Sequence, residues 1–462
     1  MNKLDLLKIR RQDLLKSGSE IRRKIAELVD PESFVETDSY SFSKSEFYDG
    51  TAQGEGVVTG SATINDNAVF VIAQNAEVLS GGVTDANCKK IVKCQQKALR
   101  AGAPVIYLLD TTGVAVGEGV NVLEGIGDVL AACNELIGNC VQIAVATGDV
   151  LGSFALLYAS CDFTFALKDS SIAYASPLVI SAASGKNLSK AEVGGAESLS
   201  RTGAACFEAE TVAEVRDSIC DILAYLPTFG GDEDCTDDFN RAAPALNEKV
   251  CDKCVIDALF DNGRFLETNK KYAPEVRTGL GRIGGIAVGA IVFGGGENGV
   301  ELDRDNILKI KKMLYLCEEH ELPLVTLVNA GGIKADLETA LTPVMKEAAD
   351  LSYALYNLSS PRINVVYGKA VGLGYTLFAS KSLGADYSLA FATAKISLFD
   401  TAKGAMIELA GVNEENKEKA EEKYADDNQD PINAARNGYI DDIIEPQFVR
   451  AHVIERLQIL TR

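Results

Sequence analysis

Residues 148–160 read GDVLGSFALLYAS and place Gly152 and Ser153 between an apolar strand, IAVA, and an apolar helix pattern. Glycine costs conformational entropy there and is used where backbone must come close to something. Residues 368–380, GKAVGLGYTLFAS, repeat the spacing and the Ala-Ser ending, with Gly372, Leu373 and Gly374 at the turn. The first turn of a helix leaves N–H groups without internal acceptors. Aimed at one oxygen, and helped by the positive end of the helix dipole, such groups form an oxyanion hole. That chemistry polarises a carbonyl and needs no side chain. Close helix-to-strand packing is the simpler explanation of either turn alone; their repetition at matched spacing favours function.

Side-chain chemistry is scarce by comparison. The two histidines, His320 in CEEHELP and His452 in the last charged helix pattern, read as surface residues. Most Ser/His/Asp and Cys/His schemes are thereby removed. The pair Cys251 and Cys254 has no second CxxC or HxxxH to complete a zinc site, so no metal is expected. The remaining glycine turns fit neither GxGxxG nor a phosphate loop. Eleven cysteines, among them Cys133, Cys161 and Cys317 in apolar surroundings, read as reduced thiols in a cytoplasm, with no disulfide expected. A net charge of −21 argues against a nucleic-acid surface, because phosphate neutralisation needs clustered Lys and Arg. No apolar run reaches the ~18 residues of a membrane span. The first 30 residues read as a charged amphipathic helix outside the first core, not as a secretion signal.

The elements that must position the two turns also repeat. APVIYLLDTTGV (103–114) and LPLVTLVNAGGI (322–333) are apolar strands ending in glycine turns, Gly113 and Gly332. Helix patterns precede them at 88–102 and 306–321, and strands VFVIAQN and IAVGAIVFGG come before those. A further strand and a polar turn follow each glycine stretch, in CDFTFALKDSSIAYAS and GADYSLAFATAKISLFD. Each half is therefore a β-β-α-β-α-β unit of an α/β fold with parallel strands. The expected division is a first domain over 1–226, a Pro-, Gly- and acid-rich linker over 227–250, and a second domain over 251–462. Two helices separated by the turn NQDPINAARNGYIDD are expected at the end.

The whole chain resembles the carboxyltransferase subunits of biotin-dependent acyl-CoA carboxylases and decarboxylases, of the propionyl-CoA carboxylase beta type. The resemblance runs through GEGVVTGSATIND, LSGGVTDANCKKI, APVIYLLDTTGVAVGEGVNVLEGIG and AEVGGAESLSRTGAACFEAE in the first half. In the second it runs through FLETNKKYAPEVRTGLGRIGGIAVGAIV, LPLVTLVNAGGI, KAVGLGYTLFASKSLGAD and NAARNGYIDDIIEP. It implies two tandem crotonase-like domains built of ββα repeats. It also implies an acyl-CoA thioester in the first domain of one subunit and carboxybiotin in the second domain of another. Gly152 and Ser153 would hold the thioester oxygen as an enolate forms, and Leu373 and Gly374 the ureido oxygen of biotin. Gly113, Val114, Gly332, Ile333 and Thr376 would line the two sites, Thr376 bearing on acyl length. Released CO2 beside the enolate, with biotin taking the α-proton, would make a catalytic His or Asp unnecessary.

No Ala-Met-Lys-Met sequence occurs, so biotin is expected on a separate carrier protein, with a biotin carboxylase as further partner. A shared site implies a dimer-based homo-oligomer, a hexamer being one such form. The chain departs from the family where Ser-Gly-Gly-Ala-Arg is usual, carrying Thr111, Thr112, Gly113, Val114 and Ala115. Gly152, Ser153, Phe154 and Gly372, Leu373, Gly374 replace Gly-Gly-Ala turns; Ala330, Gly331, Gly332 and Ile333 replace a Pro-Gly loop; and a His usual near 196 is absent. Two alternatives remain open at this stage: a decarboxylase component of a membrane pump, and a non-catalytic scaffold subunit.

Overall fold

A computed structural model describes residues 2–16, 18–41, 56–226, 235–408 and 416–461. The chain divides into two compact units, 1–221 and 222–462, each built on its own sheet.

The first sheet contains β1 (Val35–Thr37), β2 (Val57–Ile64), β3 (Asn67–Gln74), β4 (Val105–Thr111), β5 (Gln142–Leu151), β6 (Phe163–Leu167), β7 (Ser171–Ala173) and β8 (Phe207–Ala209). Its order is β1-β2-β3-β4-β5-β6-β8, with β7 on β5. The second contains β9 (Phe265–Thr268), β10 (Val276–Ile283), β11 (Ile286–Phe293), β12 (Val300–Leu302), β13 (Leu324–Ile333), β14 (Arg362–Val371), β15 (Tyr387–Phe391), β16 (Lys395–Ser397) and β17 (Asp442–Ile444). Its order is β17-β15-β14-β13-β11-β10-β9, with β12 on β13 and β16 on β14.

Both sheets open with an antiparallel hairpin and continue in parallel. The β2–β3 turn is made by Asn65 (φ 49°) and Asp66 (φ 64°), the left-handed pair that a two-residue hairpin requires. Asp30 fastens that turn, accepting from the backbone of Asn65 and Asp66 (both 3.1 Å), the Thr63 hydroxyl (2.7 Å) and Arg216 (2.7 Å). The central strands are apolar on both faces because helices cover them. Helix Asp85–Ala101 starts where Thr84 Oγ1 accepts the Asn87 N–H (3.0 Å) and stops at left-handed Gly102. Its stripe of Cys88, Ile91, Cys94 and Ala98 is buried on the sheet. Its counterpart, Arg304–Glu319, starts with a capping box between Asp303 and Asn306. It buries Ile307, Ile310, Leu314 and Cys317.

One irregularity appears at the same place in both sheets. Leu109 pairs with Ala146 and the next pair is Thr111 with Val150, so Asp110 alone faces Thr147, Gly148 and Asp149. Likewise Val328 pairs with Val366 and Ala330 with Ala370, leaving Asn329 opposite Tyr367, Gly368 and Lys369. Beyond the break β5 takes β7 as a neighbour and β14 takes β16. Strands β5 and β14 bulge there, and the glycine turns follow a few residues later.

Several expectations change. The N-terminal segment is two helices, Lys3–Lys16 and Ser19–Leu28, and the second buries Ile21, Ile25 and Leu28, so it is not outside the core. Part of the expected linker, 227–234, lies outside the described residues. The rest carries a helical turn, Ala245–Glu248, whose flank is tied to the second unit by the bond from Ala243 N–H to Gln447 O (2.9 Å). The expected terminal helices are Lys417–Asn428 and Val449–Leu460, but the segment between them contributes the short helix Ile432–Arg436 and strand β17. His320 and His452 are half-buried, not surface residues. Cys251 and Cys254 form a disulfide, against the expectation of thiols throughout: their spacing of three at the start of helix Asp252–Leu259 brings the Cα atoms to 5.1 Å.

Candidate active site

Both sheets aim their parallel strands at the glycine turns. In the first unit Gly152 (φ 72°, ψ −138°) joins β5 to helix Ser153–Ala159. In the second, Gly372 (φ 54°, ψ −123°) joins β14 to helix Leu373–Phe378. A side chain is disfavoured at either φ. The glycines make the bend possible, but their own N–H groups are committed, Gly152 to Ala173 O (3.0 Å) and Gly372 to Ser397 O (3.1 Å). Among the described residues the N–H groups of the first helical turn without a backbone partner are those of Ser153 and Phe154 in the first unit and of Leu373, Gly374 and Tyr375 in the second. The sequence reading paired Gly152 with Ser153 as donors; in the structure the Gly152 N–H is bonded to Ala173 O, and that of Ser153 has no backbone partner among the described residues.

The second glycine of each site lies beside that bend. Gly113 (φ 110°) ends the turn after β4, and a β-carbon there would lie 3.8 Å from Leu151 O. Gly332 (φ 98°) ends β13, and its β-carbon would lie 3.6 Å from Val371 O and 3.9 Å from Leu373 N. A β-carbon on either would be in ordinary contact with the neighbouring turn, so it is the positive φ that calls for glycine. Val114 is held by the strand-like bridge to Val83, through Val83 N–H to Gly113 O (2.9 Å) and Ala115 N–H to Val83 O (2.8 Å). Ile333 is fixed in the same manner by pairing with Leu302.

Gly374 lies close against β13. A β-carbon on it would meet Ala330 O at 2.6 Å, so its absence lets the helix lie directly on β13. The corresponding residue of the first unit, Phe154, is buried. Thr376 is exposed and its hydroxyl donates to Gly372 O (3.3 Å).

Two polar residues inside apolar strands were missed by the sequence reading. Asn329 donates to Gly294 O (2.7 Å) and Gly296 O (2.8 Å) and accepts from the Lys369 N–H (2.9 Å), which fixes the bulge in the second sheet. Asp110 occupies the equivalent position in the first. Burial raises its carboxyl above the ordinary range; Lys24 pulls against this and Asp149 adds to it. Asp149 itself accepts from Ser171 (2.7 Å) and pairs with Lys190 (2.5 Å), while Lys369 pairs with Asp400 (3.0 Å). The available signal was the alignment of LLDTTG with LVNAGG, a polar residue at the same place in two apolar runs.

Among the described residues no helix is long and apolar enough to cross a membrane. Residues 15–462 match the carboxyl transferase domain family. The chain is 29% identical to the propionyl-CoA carboxylase carboxyltransferase subunit of Haloferax mediterranei, over 99% of this chain and 96% of that one. It is 30% identical to the mitochondrial propionyl-CoA carboxylase beta chain of Homo sapiens, over 95% and 85%. To the alpha subunit of methylmalonyl-CoA decarboxylase from Veillonella parvula it is 30% identical over 95% and 89%. Among solved structures, transcarboxylase 12S, a hexamer with methylmalonyl-coenzyme A and methylmalonic acid bound, superposes with a TM-score of 0.93 at 24% identity, covering 99% and 96%. That likeness gives the fold, two tandem crotonase-like domains. With nearly its full length matched and the expected fold in place, the chain belongs to the carboxyltransferases of the biotin-dependent carboxylases, whose substrates are acyl-CoA thioesters.

Proposed function

We propose that this protein moves a carboxyl group between carboxybiotin, borne on a separate carrier protein, and a short-chain acyl-CoA, propionyl-CoA and methylmalonyl-CoA being the pair that the relatives' names favour. The first domain takes the thioester, whose oxygen meets the Ser153 N–H in the turn that Gly152 shapes, with Gly113 and Val114 facing it. The second takes biotin, whose ureido oxygen meets the Leu373 N–H, with Gly374, Gly332, Ile333 and Thr376 around it. The observation that carries the reading is the matched pair of turns: in each a left-handed glycine, Gly152 or Gly372, precedes a helix whose first N–H, that of Ser153 or Leu373, has no backbone partner among the described residues. When bound, carboxybiotin would supply CO2, and the ureido nitrogen freed by its loss would take the α-proton. The protein's own contribution is to orient the thioester, exclude water and stabilise the enolate oxygen with fixed N–H dipoles.

Carboxyl exchange from methylmalonyl-CoA and from malonyl-CoA to free biotin, measured with the purified chain, tests this. Faster transfer from methylmalonyl-CoA supports the proposed substrate, and no transfer from either sinks it in favour of a scaffold role. Thr376→Ile is expected to change the ratio of kcat/KM for the two substrates by a factor of ten or more, since one methylene in an apolar pocket is worth about 1–3 kcal/mol. The reverse direction, as the decarboxylase component of a membrane complex in place of a carboxylase, is supported by the Veillonella relative. Co-purification with a membrane subunit or with a soluble biotin carboxylase separates the two. In either case the working form is a dimer-based homo-oligomer in the cytoplasm, and a 49 kDa particle at micromolar concentration would refute the shared site.

A further inference from the structure

The second unit contains a cavity of about 440 Å³, within the usual range for small-molecule sites. None of Gly332, Ile333, Leu373, Gly374 or Thr376 lines it. It owes its existence to the break in register between β13 and β14, because Asn329, Tyr367, Gly368 and Lys369 all face it. Asn329 cannot turn into the space, since both its oxygen and its nitrogen are engaged by backbone groups. The Tyr367 hydroxyl is likewise spent on Phe293 O, so the ring offers its apolar body. Leu246 and Val250 add to the apolar wall.

The cavity is lined by charges of both signs. Its lining has three lysines, Lys249, Lys369 and Lys395, against Glu248 and Glu297, on a chain of net charge −21. Lys369 is tied to Asp400, but Lys249 and Lys395 are exposed and form no ion pair among the described residues. The first unit has the same break in register with the opposite chemistry: Asp110 stands where Asn329 does, and Asp149 where Lys369 does. Beyond the break Lys395 pairs with Lys369 on the ladder, where Ser171 pairs with Asp149 in the first unit, so the shared backbone geometry does not call for a second lysine. We propose that this cavity binds a small organic carboxylate, its anionic end met by Lys249 and Lys395 and its short apolar body lying against Leu246, Val250 and Tyr367.

Calorimetric titration of the whole protein with propionate, succinate and inorganic phosphate tests the assignment. Saturable binding of a carboxylate is expected, weakened about tenfold or more in the double variant Lys249→Glu/Lys395→Glu and kept in Lys249→Arg/Lys395→Arg. Both side chains are exposed, and circular dichroism confirms that the variants are folded. No saturable carboxylate binding to the parent protein overturns the proposal. So does binding undiminished in the Glu variant, which would place the anion elsewhere. Phosphate bound as tightly as the carboxylates, and lost in parallel, would also overturn it, since the apolar wall would then contribute nothing.

Discussion

Asn329 lies so close against Gly368 that a β-carbon on the glycine would stand 2.4 Å from the amide oxygen. Three hydrogen bonds hold the amide, so it cannot give way cheaply. Gly368→Ala is therefore expected to destabilise the second unit by about 1–3 kcal/mol, the usual range for overpacking. Gly127, exposed in helix Val120–Leu136 with nothing within 4 Å of its would-be β-carbon, is the comparison. Gly127→Ala is expected to stabilise by about 0.5–1 kcal/mol. Urea denaturation followed by circular dichroism reads both; equal effects would mean that the contact with Asn329 is irrelevant.

Removing a single N–H tests the proposed chemistry. Ser153 is the first helical residue after the bend, a position whose φ suits proline, so Ser153→Pro deletes the N–H without breaking the helix. Carboxyl exchange per folded protomer should fall on the order of 100- to 1000-fold in kcat, the cost of one oxyanion donor. Ser153→Ala keeps the N–H and should behave like the parent. Gly152→Pro cannot serve this purpose, because φ 72° is closed to proline and the Gly152 N–H already bonds Ala173. A large loss in Ser153→Ala would instead assign the work to the hydroxyl.

Thiol counting checks the cysteine assignment. Nine cysteines are free and two are joined, Cys251 to Cys254. Burial pushes the Cys88 and Cys94 thiols up to about 12, so they are poor nucleophiles in the folded protein and must be counted in denaturant. Nine thiols before reduction and eleven after are expected. Eleven before reduction would mean that the pair is a dithiol.

Asp30 should give the first unit an acid-sensitive element. Burial alone would raise its carboxyl, but the Thr63 hydroxyl, the Asp66 and Asn65 N–H groups and Arg216 outweigh that and hold it at about 2. A depressed folded-state value means that the stabilisation is complete above the unfolded value of about 4 and is lost as pH falls from there towards 2. Asp30→Asn should lower the unfolding midpoint at pH 7, with the gap to the parent closing over that window. A gap independent of pH would show that charge is not the cause.

What the sequence makes legible follows from what each feature depends on. The duplicated strands are plain because β4 and β13 are continuous apolar runs, each ended by glycine at the same spacing. Helix starts are equally local, set by Thr84 and Asp303. The break in register is not local: it belongs to two strands at once, and Asp110 or Asn329 read singly is only a polar residue in a strand. The same reason hides the role of Gly152, whose N–H partner sits on β7, and of Cys251, whose pairing depends on how a helix begins. The buried face of helix Ser19–Leu28 was available as a stripe, but charged neighbours such as Arg22, Arg23 and Lys24 dilute it.

The strand order has a consequence for synthesis. Along the main path of each sheet, every strand pairs with the one made just before it or with one a single strand removed. No pairing within the first sheet waits for a residue beyond Ala209. At a translation rate of about 5–20 residues per second, the ribosome needs roughly 10–50 s to make the second half after the first. The first sheet can close during that interval, so its apolar strands need not be exposed to their near-copies still to emerge. Two similar units in one chain risk exchanging strands; sequential pairing lets vectorial synthesis keep them apart.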